Sequence, residues 1–189
     1  IMFTSARKGQ QHFIEKKHIE GIAVTYVRNT YNREMGVIQR AWSFVRFMFY
    51  AIWFGIRQKD IDLVYATSTP LSVAFPAMVI KWLKGVPFVF EVRDLWPEVP
   101  IQMGAIKNKL LIKLLYWFEK RIYISAAHVV ALSPGMKEGV LKYGIPEQKV
   151  SMIPNMSKKD EFYERPKNEA IAEAFGIDLN KFHAVHFGA

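Results

Sequence analysis

The chain has 189 residues, 51% of them apolar and 14% aromatic, which supplies ample material for one buried core and excludes a disordered chain. It contains no cysteine, so disulfides and thiolate-held metals are excluded. The formal charge of +9 is concentrated early: residues 1–58 hold nine Lys or Arg against three acids. Such a surplus suits phosphate, whether in a nucleotide, nucleic acid or anionic lipid, and equally suits a plain solvated basic face.

In chain order, the apolar runs that read as strands are IMFT at the start, GIAVTYV near 21–27 and IDLVYATS near 61–68. VPFVFEV at 86–92, AHVVALS at 127–133 and KVSMIPN at 149–155 follow. They are nearly continuous in apolar residues rather than alternating, as in strands of a parallel sheet covered on both faces. Helical patterns fill the gaps at 36–57, 70–83, 107–125 and 134–143. Strand and helix in regular alternation predict an α/β fold with a Rossmann-like, doubly wound parallel sheet. Residues 1–163 are expected to form this domain, lacking a first βα unit. Residues 164–181 read as a polar linker with a short helix, and 182–189 as the first strand of a further domain.

Open α/β sheets bind ligands outside the carboxyl ends of their strands. The strand near 61–68 ends in Thr67, Ser68 and Thr69. The strand at 127–133 ends in Ser133, a predicted N-cap with Pro134 at the first helical position. The last parallel strand ends in Asn155. Each hydroxyl also has a plain reading as a helix cap.

The segment FEVRDLWPEVP (90–100) is the sharpest motif. A buried strand ends in Arg93 and Asp94, followed by Trp96, Pro97 and Glu98. An Asp here can orient or deprotonate a hydroxyl, an Arg can hold an anion, Trp96 offers a platform for a sugar ring and Glu98 adds a second carboxylate. The alternative is a structural Arg-Asp pair with Trp96 in the core. The five histidines form no cluster, and no metal-ligand spacing, Walker loop or nucleophile elbow is present.

Two helices combine aromatic and basic residues: 36–57, with Arg40, Trp42, Arg46 and Trp53, and 107–125, with Lys113 and Trp117. The apolar stretch from Ala41 to Ile56 falls short of the roughly 20 residues a spanning helix needs. These six side chains are candidates for a membrane interface; the alternative is packing against the sheet or another element. Nucleic acid is supported by net charge alone, with no recognition motif beside it.

The segments ATSTPLSVAFPA, PFVFEVRDLWPEVPIQMG, ALSPGMKEGVLKYGIP and KVSMIPNMSKKDEF, in this order, together resemble the N-terminal domain of retaining glycosyltransferases of the GT-B fold. More narrowly, they are similar to family 4 bacterial enzymes of O-antigen or capsule synthesis, including acetamido-fucose-type sugar transferases. The resemblance implies a second domain that binds a nucleotide-sugar donor (a UDP-sugar) and an acceptor side supplied by this chain. It further implies a polyprenyl-diphosphate-linked saccharide acceptor, residence at the cytoplasmic face of a membrane, no metal in the transfer step and no nucleic-acid partner. Arg93-Asp94 falls where related enzymes often carry His-Asp, and Met156 replaces the glycine of their PNG pattern. Catalytic roles would fall to Asp94 and Arg93. Thr67, Ser68, Thr69, Trp96, Glu98, Ser133 and Asn155 would bind substrate. Alone, the chain is expected to be inactive. The alternative is a non-catalytic α/β module that binds a membrane surface or partner.

Overall fold

The computed structural model describes residues 1–5, 12–29, 35–68, 70–156, 160 and 163–183. They divide into two compact units, Ile1–Pro154 and Asn155–Ala189.

The first unit opens with strands β1 (Met2–Ser5), β2 (Ile14–Ile19) and β3 (Ile22–Val27), then helix α1 (Val37–Arg57). Strand β4 (Val64–Thr67), a short 3-10 turn (Leu71–Val73) and α2 (Ala74–Lys84) follow. Next come β5 (Phe88–Val92), α3 (Glu98–Gln102), α4 (Lys109–Ser125), β6 (His128–Ala131), α5 (Pro134–Leu141) and β7 (Val150–Met152). The second unit holds α6 (Glu169–Ala174), capped by the Asn168 side chain on the Ile171 N–H.

The parallel sheet anticipated from the apolar runs is β4-β5-β6-β7, every pair parallel. Its centre is β5, whose Phe88, Phe90 and Val92 are buried. Burying each of these phenylalanines is worth about 2–3 kcal/mol. Ile122 and Tyr123 of α4, Ala74 and Ala77 of α2 and Val140 of α5 complete the core.

The amino-terminal strands depart from a single-sheet expectation. They form a separate three-stranded sheet in the order β1-β3-β2, with β1 parallel and β2 antiparallel to β3. The sequence reading passed over β2 because IEKKHI is charged and almost wholly exposed, the pattern of an edge strand rather than a covered one. Its signal lay in the turn. Glu20 and Gly21 both have positive φ, 50° and 81°, and Ile19 pairs with Ile22, which defines a two-residue hairpin. Glu20 therefore sits in left-handed backbone that its Cβ disfavours by about 1 kcal/mol. Glu20→Asn is expected to stabilise the fold by roughly 0.5–1 kcal/mol, read as a higher urea midpoint.

Helix α1 links the two sheets. Phe3 of β1 stacks on its Phe54 and lies 5.4 Å from its Phe47, while Gly55 meets Ile80 of α2 so closely that an added methyl would fall 2.3 Å from Ile80 Cδ1. Lysines close the helix ends: Lys84 Nζ donates to the Ile56 and Gln58 carbonyls of α1 and its cap. Lys81 and Lys149 donate to the Ser125 and Ile124 carbonyls at the end of α4. The expected strand at 182–189 lies largely outside the described residues, which stop at His183.

Candidate functional site

The register of the parallel sheet brings the carboxyl ends of its strands into one row. Val92 pairs with Ala131, so Asp94 and Ser133 stand equally far beyond the last paired residues of β5 and β6. Thr67 at the end of β4 is exposed and pairs with Glu91. Thr69 lies outside the described residues. Asn155 is exposed and belongs to the second unit.

Ser68 has a fixed structural task. It is buried, its N–H donates to the Glu91 carbonyl at 2.8 Å, and its Oγ accepts the Arg93 N–H at 2.8 Å. The hydroxyl thus ties the end of β4 to the first residue beyond β5. Ser133 caps α5 by accepting the Met136 N–H at 3.3 Å, with Pro134 in the first turn as its sequence position predicts.

The segment 93–98 is held at three points. Arg93 is pinned through its backbone to Ser68. Leu95 packs against α5 at Gly139, where an added methyl would lie 2.8 Å from Leu95 Cδ2. Glu98, in the first turn of α3, accepts Tyr116 OH of α4 at 2.7 Å on one oxygen and Gln102 Nε2 at 2.7 Å on the other. These bonds, with Lys142 nearby, hold the Glu98 carboxyl below the usual range, while Tyr116 is pushed up to about 12. Trp96 is half-buried and packs on the core, and the Pro97 that follows across a cis peptide bond is fully buried. What remains outward is Arg93 and Asp94, both exposed. Gly139→Ala should therefore displace Leu95 and the loop with it, costing about 1–3 kcal/mol. Shifted amide resonances at 93–96 in an otherwise native spectrum would register the movement.

Beneath the loop lies a group that sequence reasoning missed. Glu119 of α4 is only 3% exposed, and it accepts Tyr123 OH at 2.7 Å and Tyr143 OH on its other oxygen. Burial raises its pKa, and burial likewise raises those of Tyr123 and Tyr143. The signal was a lone acid inside an apolar helix, with tyrosines three residues before and four after on the same face.

The six candidates for a membrane interface separate. Trp42, Trp53, Lys113 and Trp117 are exposed. Arg40 is half-buried, and Arg46 turns inward, donating from Nε and Nη2 to Asn29 Oδ1 just past β3. Among the described residues, no group of three or more His, Asp and Glu could hold a metal ion.

The parallel α/β architecture of the first unit agrees with what the sequence matches. Residues 2–156 match the glycosyl transferase 4-like domain. The chain belongs to that family. As a glycosyl transferase 4-like domain it is similar to solved structures of Alr3699/HepE from Anabaena. The complex with UDP-glucose superposes with a TM-score of 0.50 at 16% identity, over 82% of this chain and 37% of that one. The complex with UDP and glucose gives 0.49 at 15%, and that with UDP 0.48 at 13%, with the same coverage. The first of these likenesses is one of fold, and the chain spans 37% of the length of the structures it matches. No curated protein matches the chain.

Proposed function

We propose that this domain is the acceptor-binding half of a retaining glycosyltransferase. In this reading a sugar passes from a UDP-sugar, bound by a partner domain, to a polyprenyl-diphosphate-linked saccharide in surface polysaccharide synthesis. The enzyme works at the cytoplasmic face of a membrane. The observation that carries the reading is the loop at 93–98: Ser68, Gly139 and Tyr116 fix its backbone and flanks, and the exposed pair is Arg93 and Asp94.

Asp94 accepts a hydrogen bond from the attacking hydroxyl, orienting its lone pair toward the sugar's anomeric carbon. Arg93 pairs with a phosphate oxygen of donor or acceptor, for which a guanidinium fork is suited. Thr67 adds an exposed hydroxyl on the same rim. The bond formed is acceptor oxygen to anomeric carbon; the bonds broken join that carbon to the diphosphate, which leaves as UDP, and the acceptor oxygen to its proton, which passes to the departing diphosphate oxygen and from there to solvent. Nothing in this step calls on a metal ligand from the described residues. The UDP-glucose in the Anabaena structure of similar fold supports the choice of donor. Incubated alone with UDP-glucose, the chain should release no UDP. Donor-dependent release by the chain alone would overturn its assignment as the acceptor half.

A further inference from the structure

Four of the five tryptophans lie on the surface: Trp42 is 67% exposed, Trp53 46%, Trp82 82% and Trp117 59%. Tryptophan is ordinarily among the best-buried side chains on average, so four together demand an account. They occur on three helices whose exposed apolar residues fall in stripes. On α1 these are Ile38, Trp42, Phe49, Trp53 and Ile56, which recur at helical spacing along one face. On α4 Leu110, Leu114, Trp117 and Ile124 do the same, and on α2 Phe75 and Trp82 stand seven residues apart.

The stripes belong to one layer, because α2 packs against both neighbours. Its Ile80 abuts Gly55 of α1, Lys84 reaches the end of α1, and Lys81 reaches the end of α4. The charge on this layer has one sign. The only acid in the three helices is Glu119, which is buried, whereas Lys109, Lys113, Lys120 and Arg121 are exposed, and the Arg57 guanidinium lies 4.1 Å from the Trp53 ring centre.

We propose that the outer face of α1, α2 and α4 docks on an anionic lipid bilayer, with Trp82 and Trp117 seated among the headgroups. Amphipathic tryptophan rings partition to the headgroup layer, and flanking lysines and arginines meet lipid phosphates. No helix among the described residues is long and apolar enough to cross a membrane, so the contact is with the surface. A second copy of the chain is the poorer occupant, since a two-fold contact would set the same cations face to face. The proposal extends the reading of a membrane-bound acceptor but draws on the surface alone.

The test is sedimentation of the chain with vesicles of equal parts phosphatidylglycerol and phosphatidylcholine, and with pure phosphatidylcholine. Preferential binding to the anionic vesicles is expected, with a blue shift of tryptophan emission and weakening at high salt. Trp82→Ser with Trp117→Ser should lower partitioning at least about tenfold. Lys113→Gln with Lys120→Gln should lower it about 25-fold, at roughly fivefold per cation. All four side chains are exposed, so these variants keep the fold, which circular dichroism verifies. No vesicle binding, equal binding to both vesicles, or binding unmoved by the substitutions overturns the proposal. So does concentration-dependent dimerisation that the tryptophan substitutions abolish. Asp94→Asn should leave vesicle binding unchanged, so failure of the transfer reading is told apart: UDP release by an enzyme joining this domain to its donor half would be unchanged by Asp94→Asn, with docking intact.

Discussion

Asp94→Asn should lower turnover on the order of 10²- to 10⁴-fold in an enzyme that joins this domain to its donor half. The substitution keeps size and shape and removes the charge that, in the proposed reading, accepts a hydrogen bond from the acceptor's hydroxyl. Asp94 is exposed, and equal urea midpoints for the variant and the wild type would assign the rate loss to chemistry rather than to unfolding. The effect should fall mainly on kcat, because the hydroxyl is aligned in the transition state more than in the bound ground state. Steady-state UDP release, measured with a lipid-linked acceptor, reads it. Glu147→Gln is the matched control: it removes a carboxylate whose partner is Lys137, 2.8 Å away on the surface, and turnover should not change. Normal turnover in Asp94→Asn would remove Asp94 from the mechanism.

Glu119→Ala should destabilise the domain by about 3–5 kcal/mol. Two terms add. The Tyr123 and Tyr143 hydroxyls lose their acceptor while still buried or half-buried, and the vacated volume lies beside the Phe90–Tyr123–Tyr143 ring cluster, where a cavity is costly. Glu119→Gln keeps an acceptor oxygen and should cost much less. Both penalties also depend on pH, because the wild-type carboxyl titrates and neither replacement does. Burial raises the Glu119 pKa, so the folded state holds its proton more tightly than the unfolded chain. That contribution is full below the unfolded carboxylate value of about 4.3 and declines as pH rises through the folded one. Glu98 has the opposite sign: its lowered value gives stability present at neutral pH and lost as pH falls through the folded pKa. Urea unfolding from about pH 4 upward should show the Glu119→Gln penalty, relative to the wild type, shrinking as pH rises.

Much of this architecture was legible in the residues because local and global signals agreed. FVFEV reads as a strand covered on both faces and Ser133-Pro134 as a capped helix start, and both stand so in the structure. Ser68 and Trp96 illustrate the limit. Their types and positions fit a ligand site, yet the structure engages the Ser68 hydroxyl with a backbone N–H and packs Trp96 on the core. Spacing along a strand says which residues reach the rim; it does not say which of them the fold has already used. The hairpin of β2 was lost for a different reason. Its charged exposed residues carry no burial pattern, and a Glu in left-handed backbone hides the turn that Asn-Gly would have advertised. Trp82 was missed because a single tryptophan in an apolar helix reads as core until the neighbouring helices are known to lie beside it rather than over it.

The most direct test of the central claim is a titration of the isotopically labelled chain, following the amide resonances of Arg93, Asp94 and Ser133. Farnesyl diphosphate serves as a soluble stand-in for a lipid diphosphate, with UDP-glucose at the same concentration as the competing probe. An acceptor half predicts that farnesyl diphosphate shifts these three amides while UDP-glucose leaves them in place. Shifts with UDP-glucose and none with farnesyl diphosphate would make this rim a donor site and contradict the account.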